Sequence, residues 1–346
     1  MPALGDIAES MVAPGKGVLA ADESIATMSK RLEAAGVPAS ATARRDYREL
    51  LLTTPGLSEW VSGIIFCDET LRQSLAGGSS FAEASRDRGI HVGIKVDMGV
   101  TVLPFASGAL VTDGLDGLRG RLAEYRKIGA TFAKWRAVLV PDQFGPRAMA
   151  ANAHALARYA ALCQEEGIVP IVEPEVLMEG AHDIDRCESV TAEILAAVFE
   201  QLDLMGADPA GLVLKPNMVT GGSLSGTQSG PDEVARRTLR VLRATVPAAV
   251  PGIAFLSGGQ SSQLACENLA AINAAASDDG LGQDGVGAAP WRLTYSFGRA
   301  LVSDALTEWG GDPGQVPAAQ AVLAANCARA SAAGRPKGLV SGAVNG

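Results

Sequence analysis

The sequence predicts an α/β fold of the closed (β/α)₈, or TIM-barrel, type. Three observations lead to this prediction. Eight short apolar runs recur along the 346-residue chain, helical periodicity fills most intervals between them, and a charged residue lies near the end of almost every run. Short apolar strands that alternate with helices pair in parallel. Eight such units in one chain favour a closed barrel over an open sheet.

The predicted strands follow the apolar runs in order. They span residues 17–21, 62–67, 91–96, 131–136, 168–172, 212–214, 252–256 and 292–297. Between them, apolar residues at i, i+3 and i+4 predict helices, of which the clearest are 115–128, 148–166, 190–205, 233–245 and 262–275. Residues 1–16 predict a short amphipathic helix and a Pro-Gly turn.

The chain is predicted to form one domain, since no linker or short repeat divides it. Residues 1–330 are expected to form a single barrel with an N-terminal helical extension. Residues 331–346 are rich in Gly, Ala, Ser and Pro and predict a flexible C-terminal tail. Residues 277–290 are rich in Asp and Gly and predict a surface loop.

Composition narrows the classes of partner. The chain carries 29 Lys and Arg against 38 Asp and Glu, a net charge of −9, and has no basic tract, so neither nucleic acid nor an anionic membrane is expected as a partner. The N-terminus lacks a signal-peptide pattern, and no apolar run is long enough to span a bilayer, so we expect a cytoplasmic protein. The 5 scattered cysteines, with no C-x-x-C pair, predict reduced thiols.

Lys215 is the residue around which the predicted chemistry is organised. It follows the apolar run 212–214 directly, and Pro216 then ends the strand. Desolvation at the end of a buried strand disfavours the ammonium form, which makes the amine available as a nucleophile. The alternative is a lysine that reaches solvent or pairs with a carboxylate, as most lysines do.

Charged residues at the other strand ends favour a nucleophilic role for Lys215 over a purely structural one. In a barrel these ends meet at one mouth, where active sites lie. Residues two apart on a strand share a face, so Lys134 and Arg136 point the same way, as do Glu173 and Glu175 if the strand continues past Pro174. The alternative, a structural cage of ion pairs, is disfavoured because buried charge networks seldom offset their desolvation cost.

These residue types predict a mechanism. Lys215 attacks a ketone carbon to give a carbinolamine and then an iminium ion, with Lys134 as a neighbouring cation. Glu173 is the expected acid for dehydration, with Glu175 beside it. Asp22 is the expected base for C–C cleavage, although an Asp at this position also fits a helix N-cap.

Two glycine-containing turns predict phosphate binding. The turn Ser257-Gly258-Gly259 joins a strand to a helix, and such turns present backbone N–H groups to an anion. Gly298 and Arg299 repeat the arrangement after the eighth strand, and late loops of barrels often form a phosphate site. The substrate is therefore expected to carry phosphate.

A resident metal or dinucleotide is not expected. The three histidines, His91, His154 and His182, lack ligand spacing. The acidic stretch around His182 fits a solvated loop better than a cation site. No strand–G-x-G-x-x-G–helix unit is present.

Seven sequence blocks resemble the class I, Schiff-base fructose-1,6-bisphosphate aldolases, in the order of that family and over most of the chain. They are GKGVLAADES at 15–24, GIKVD at 93–97, FAKWR at 132–136, GIVPIVEPE at 167–175, LKPNMV at 214–219, FLSGGQS at 255–261 and SFGRAL at 296–301. The resemblance implies reversible cleavage of fructose 1,6-bisphosphate to dihydroxyacetone phosphate and glyceraldehyde 3-phosphate, in glycolysis and gluconeogenesis, by a metal-independent homotetramer.

The resemblance also implies residue roles. Lys215 would form the Schiff base, Glu173 would be the acid and base supported by Glu175 and Lys134, and Asp22 would assist cleavage. Ligands of the phosphate at the ketone end would be Ser257, Gly258, Ser296, Gly298 and Arg299. Residues near the other phosphate would be Ser24, Thr27, Lys30, Arg31 and Lys95, with Arg136 also in the mouth. Thr27 stands where the family often has serine.

One departure from the family concerns the C-terminus. Vertebrate members end in a tyrosine that assists proton transfer on the enamine, whereas this chain has no tyrosine after Tyr295. Another group or water then carries that proton, or the step is slower. Two other functions stay open from the sequence: a lysine aldolase or transaldolase for a sugar with one phosphate, and a catalytically silent barrel that serves as a scaffold.

Overall fold

A computed structural model describes residues 3–277 and 288–335. Within these residues the chain has an eight-stranded parallel sheet and a separate antiparallel hairpin. The strands are β1 (Gly17–Ala21), β2 (Val61–Phe66), β3 (His91–Lys95), β4 (Val100–Val102), β5 (Leu110–Thr112), β6 (Phe132–Leu139), β7 (Val169–Val176), β8 (Val213–Leu214), β9 (Gly252–Phe255) and β10 (Arg292–Tyr295). Strands β4 and β5 form the hairpin, and the other eight lie side by side in chain order.

The sheet closes on itself between its first and last strands. The backbone N–H of Ala20 donates to the carbonyl of Phe297 over 2.9 Å. At the same seam, a Cβ on Gly17 would lie 2.5 Å from the carbonyl oxygen of Tyr295, so only glycine allows this approach. The closed sheet and its helices confirm the predicted (β/α)₈ barrel.

Helices surround the barrel. They are α1 (Leu4–Met11), α2 (Ile25–Ala34), α3 (Ala41–Leu52), α4 (Asp68–Leu71), α5 (Phe81–Asp87), α6 (Leu118–Ile128), α7 (Pro146–Glu165), α8 (Ile184–Leu204), α9 (Pro231–Thr245), α10 (Ser262–Ala276), α11 (Arg299–Trp309) and α12 (Val316–Ala333). Short 3₁₀ turns lie at Leu57–Glu59, Pro141–Gln143, Pro209–Gly211 and Pro313–Gln315. In the described part of the chain, no helix combines the length and apolar character that crossing a bilayer requires.

Helix α1 closes the lower end of the barrel. Its side chains Ile7 and Met11 pack against inward-facing apolar residues of the strands, including Phe132 and Val213. This inner cluster is separate from the larger cluster between the sheet and the outer helices. The predicted N-terminal extension therefore forms the floor of the barrel, and the polar residues lie above it.

Several predicted boundaries differ from the structure. The hairpin of β4 and β5 was not predicted, β6 and β7 continue past their predicted ends, and β10 ends at Tyr295. Helix α12 reaches Ala333, so the first residues of the predicted tail are helical and that boundary was wrong. The remainder of that tail from residue 336, and residues 278–287 of the predicted surface loop, lie outside the described residues.

Candidate active site

The charged residues of the mouth stand one pleat above the barrel floor. Because side chains alternate along a strand, the residue two positions beyond a floor residue points into the same interior. Phe132, Ile171 and Val213 belong to the floor, and Lys134, Glu173 and Lys215 follow them at this spacing. The two-residue period of the strands therefore places a layer of charged side chains next to the apolar layer of the floor.

Strand β7 keeps its geometry past Pro174, as the shared face of Glu173 and Glu175 requires. It stays paired with β6 through Val176. On its other side β8 ends at Leu214, which pairs with Val172, so Pro174 lies beyond the end of that ladder. Proline has no N–H to donate, and it is tolerated here because β8 offers no backbone acceptor opposite residue 174.

Lys215 is buried, with 3% of its surface exposed. Its backbone N–H donates to the carbonyl of Val172 (2.8 Å), which holds it at the end of β8. Its Nζ lies 3.0 Å from Oε1 of Glu173. The lysine does not reach solvent, and it pairs with the carboxylate of Glu173. The predicted nucleophile and the predicted acid are therefore within hydrogen-bond distance of each other.

Two lysines and two carboxylates form a continuous chain of ion pairs. From Lys215 the chain continues from Oε2 of Glu173 to Nζ of Lys134 (3.3 Å), and from there to Oδ2 of Asp22 (2.8 Å). All four residues are at least nine-tenths buried. The formal charges of the four balance, which offsets the cost of removing each from water.

This chain of ion pairs shifts two pKa values. Burial of Lys134 lowers its pKa, but Asp22 and Glu173 outweigh burial and the net pKa is raised. Burial of Asp22 raises its pKa, but the charges of Lys134 and Lys215 outweigh burial and bring the pKa down to about 2. Lys134 is therefore a cation and Asp22 a carboxylate at neutral pH, and an ionised carboxylate is able to accept a proton.

Asp22 does not cap helix α2, which was the alternative left open by the sequence. That position belongs to Ser24, whose Oγ accepts from the backbone N–H of Thr27 at 3.2 Å. The Thr27 hydroxyl lies 3.0 Å from the Ser24 hydroxyl at the same helix start. With Ser24 as the cap, the Asp22 carboxylate is directed to Lys134 inside the mouth.

A second group of charges lies beside the chain of ion pairs. Arg136 donates through Nε to Glu175, and its backbone N–H donates to Oδ2 of Asp97 over 3.3 Å. Nζ of Lys95 lies 2.6 Å from Oδ1 of Asp97. Burial would lower the pKa of Arg136, but Glu175 outweighs burial and raises it. Each cation in this group is thus held by a carboxylate of its own.

The turn after β9 has the backbone geometry of an anion site. Gly258 and Gly259 both have positive φ angles, 56° and 93°. The positive φ of Gly258 favours glycine, and a Cβ there would also lie 2.6 Å from Sδ of Met178. The guanidinium of Arg299 lies beside Gly259, where a Cβ would be 3.4 Å from its Nη2. Successive amides of such a turn, with an adjacent arginine, fit a phosphate.

A cavity of about 360 Å³ brings the predicted residues together. Of the predicted site residues, it is lined by Asp22, Ser24, Thr27, Arg31, Lys95, Lys134, Arg136, Glu173, Glu175, Lys215, Ser257, Gly258, Ser296, Gly298 and Arg299. Lys30 is not among its lining residues and is exposed on α2. A larger cavity, about 680 Å³, lies at the opposite end of the barrel near Pro14 and Trp291, away from these charges.

The prediction gave no role to several residues of the cavity. They are Ala20, Glu23, Asp97, Gly99, Val100, Val138 and Leu256. Glu23 and Asp97 lie inside blocks that carried the family resemblance, so their place in the chain was a usable signal. Val100 comes from the hairpin, which the strand prediction missed, and Val138 from the unpredicted extension of β6.

The acidic stretch near His182 has structural roles. Asp183 caps helix α8 by accepting from the backbone N–H of Arg186 (2.8 Å), and Asp185 pairs with Arg237. Among residues 3–277 and 288–335, no group of three or more His, Cys, Asp and Glu side chains has the arrangement of a metal site. The five cysteines are buried and unpaired with one another, consistent with the predicted thiols.

The chemistry of the cavity follows from these contacts. A buried amine has a proton acceptor at 3.0 Å, an ionised carboxylate stands at the other end of the same chain of charges, and a glycine turn with an arginine forms one edge. Such a site is able to form an imine with a carbonyl compound, move protons during its formation, and hold an anionic substrate.

Comparison with known proteins agrees with this chemistry. A family model described as fructose-bisphosphate aldolase class-I matches residues 3–343. The chain is 48% identical over 320 residues to the non-muscle fructose-bisphosphate aldolase of Lethenteron camtschaticum, covering 92% of this chain and 85% of that one. It is 47% identical over 311 residues to a probable class 1 fructose-bisphosphate aldolase of Xanthomonas campestris, covering 89% and 90%.

A solved structure is also similar. The fructose-bisphosphate aldolase of Plasmodium falciparum, in a complex with TRAP and a small-molecule inhibitor, superposes with a TM-score of 0.91 at 41% identity. The alignment covers 97% of this chain and 95% of the other.

Proposed function

We propose that Lys215 is the Schiff-base nucleophile of this chain, which belongs to the class-I fructose-bisphosphate aldolase family and is a lyase of that class. The observation that carries the assignment is the buried Nζ of Lys215, 3.0 Å from Glu173 at the end of the four-residue chain of ion pairs. Fructose 1,6-bisphosphate is the substrate, and dihydroxyacetone phosphate and glyceraldehyde 3-phosphate are the products.

Imine formation uses Lys215 and Glu173. Transfer of the ammonium proton to Glu173 leaves a free amine, which attacks the ketone carbon and gives a carbinolamine. Glu173 then returns the proton to the carbinolamine hydroxyl, which leaves as water, and the iminium ion remains. Lys134 supports this exchange because its cation contacts the other oxygen of the same carboxylate.

Cleavage uses the iminium ion as an electron sink. The Asp22 carboxylate takes the proton from the hydroxyl on C4, the C3–C4 bond breaks, and its electron pair forms an enamine while the aldehyde departs. Protonation of the enamine at C3 and hydrolysis of the resulting iminium release dihydroxyacetone phosphate and regenerate Lys215. Water or another group of the protein supplies the C3 proton.

The two phosphates are assigned to two groups of ligands. Ser257, Gly258, Ser296, Gly298 and Arg299 follow β9 and β10 and bind the phosphate at the ketone end. Ser24, Thr27 and Arg31 follow β1, Lys95 ends β3, and these four bind the other phosphate, with Arg136 in the mouth between carboxylates. The Oγ of Ser296 is buried without a hydrogen-bond partner, which supports its assignment as a ligand.

The assembly and the location are also proposals. The resemblance implies a homotetramer. Exposed apolar side chains near β4 and β5 support this proposal, because such a surface fits a contact between subunits: Met98 is 70%, Val102 63% and Phe105 93% exposed. Light scattering during size-exclusion chromatography measures the mass directly. A cytoplasmic location is supported by the name of a relative, a cytosolic aldolase of Arabidopsis thaliana.

Two assays test the function. The protein should cleave fructose 1,6-bisphosphate with full activity in EDTA, because the Schiff-base route uses no metal. Turnover of fructose 1-phosphate should be much weaker, since it leaves Ser24, Thr27, Arg31 and Lys95 without a phosphate. Loss of activity in EDTA, or preference for the monophosphate, would contradict the proposal.

A further inference from the structure

Arg48 is a fully buried arginine behind the active site. It lies on α3, outside the barrel, and is 1% exposed. It is absent from the cavity lining, so it does not reach the substrate space. A guanidinium in such a place has lost nearly all its hydration, which is costly unless its donors are used.

The donors of Arg48 are directed to the segment that carries Asp22. Its Nε donates to the carbonyl of Ala21 over 3.0 Å, and its Nη2 donates to the carbonyl of Glu23 over 2.9 Å. These are the residues on either side of Asp22. Strand β1 ends at Ala21, so the two carbonyls mark the point where the chain leaves the ladder. One guanidinium thus holds the carbonyl of the residue before Asp22 and the carbonyl of the residue after it.

The same guanidinium approaches the Glu23 side chain. Nη2 of Arg48 lies 3.7 Å from Oε2 of Glu23, and Oε1 of Glu23 contacts Nη1 of Arg31 at 2.5 Å. Arg48 is therefore linked to two groups that line the cavity. The shorter and better-oriented contacts are the two hydrogen bonds to the carbonyls, and these act on Asp22.

We propose that Arg48 is a positioning residue that fixes the backbone on both sides of Asp22, so that its carboxylate stays aligned for proton transfer during cleavage. The inference rests on the proposed role of Asp22. The planar fork reaches two carbonyls at once, which a lysine ammonium on a flexible stem does not reproduce.

The test compares Arg48→Lys with a matched control, Arg44→Lys. Arg44 lies one turn earlier on α3, is 7% exposed and also makes a two-pronged contact, but with Glu69 (2.8 and 2.6 Å). Both variants keep the positive charge and remove a buried guanidinium that makes two hydrogen bonds to one region of the chain. Arg48→Lys should lower kcat for fructose 1,6-bisphosphate roughly 10- to 100-fold with KM nearly unchanged, the cost of a small misplacement of a reacting group. Arg44→Lys should stay within about 3-fold of wild type.

A double-mutant cycle with Asp22→Asn separates positioning from a general structural effect. If Arg48 acts through Asp22, Arg48→Lys should cost less than about 3-fold in the Asp22→Asn background. Trapping of dihydroxyacetone phosphate on Lys215 by borohydride should persist in every variant, since imine formation does not use Asp22. Loss of trapping in wild type would instead contradict the proposed function.

Three results would overturn the inference. These are wild-type kcat in Arg48→Lys, equal losses in Arg48→Lys and Arg44→Lys, and an undiminished cost of Arg48→Lys when Asp22 is already Asn. If Arg48→Lys is insoluble, Arg48→Gln replaces it in the same cycle. Insolubility of both, with soluble Arg44→Lys, would assign Arg48 to folding and also overturn the inference.

Discussion

Replacing Glu173 with glutamine tests proton transfer during imine formation. The side chain keeps its size and its neighbours, with Lys215 at 3.0 Å and Lys134 at 3.3 Å, but an amide neither accepts the ammonium proton nor returns it to a leaving hydroxyl. General acid–base catalysis contributes roughly 10²- to 10⁴-fold, which corresponds to about 3 to 5 kcal/mol of barrier. We expect kcat and kcat/KM to fall together by this amount, because the contribution is made in the transition state.

Rapid-quench kinetics with fructose 1,6-bisphosphate measures the step itself. In Glu173→Gln, the imine that borohydride traps in the first turnover should accumulate slowly. Imine formation should then be the rate-limiting step. Glu69→Gln is the control, because Glu69 also pairs with a buried arginine, Arg44, but lies outside the cavity. Rapid imine formation in Glu173→Gln, or equal losses in the two variants, would refute the assignment of Glu173.

Four further predictions follow from the same contacts. Lys134→Met should abolish cleavage and lower the free energy of unfolding in urea by about 3 to 5 kcal/mol, because Asp22 and Glu173 lose their shared buried cation; unchanged stability would contradict this. Arg299→Ala should raise KM for the bisphosphate roughly 10-fold or more through loss of a charged phosphate ligand, as steady-state assays would show. Lys30→Ala should change KM less than Arg31→Ala, since only Arg31 lines the cavity. Asp22, with its pKa lowered from 3.8 to about 2, should contribute about 2 kcal/mol of stability above pH ~4, lost as the pH falls toward ~2; the difference in unfolding free energy between wild type and Asp22→Asn should shrink over that range.

The placement of the predicted catalytic residues could be predicted because strand geometry has a period of two. Once Lys134 and Glu173 are assigned to barrel strands, their side chains must point into the same interior as Phe132 and Ile171. The same rule locates Lys215 above Val213. The sequence alone does not specify atomic distances, so the order of the ion pairs from Lys215 to Asp22 depends on packing between strands that are far apart in the chain.

Other features depended on tertiary context. The sequence predicted a strand over 168–172 and left open whether it continues past Pro174. Strand β7 does continue, because the neighbouring β8 is only two residues long. The hairpin of β4 and β5 was missed because each of its strands is only three residues long, too short to stand out as an alternating run. Arg48 gave no signal because its contacts are with carbonyls of a distant segment. Lys30 was assigned with Arg31, although only Arg31 lines the cavity.

Peptide mapping after borohydride reduction with dihydroxyacetone phosphate tests the central claim most directly. Glu173 lies beside the Lys215 amine, and Lys134 contacts the same carboxylate, so a single adduct is expected. Mass spectrometry should find it on Lys215, in proportion to the activity lost. An adduct on another lysine, or complete loss of activity with Lys215 unmodified, would contradict the account.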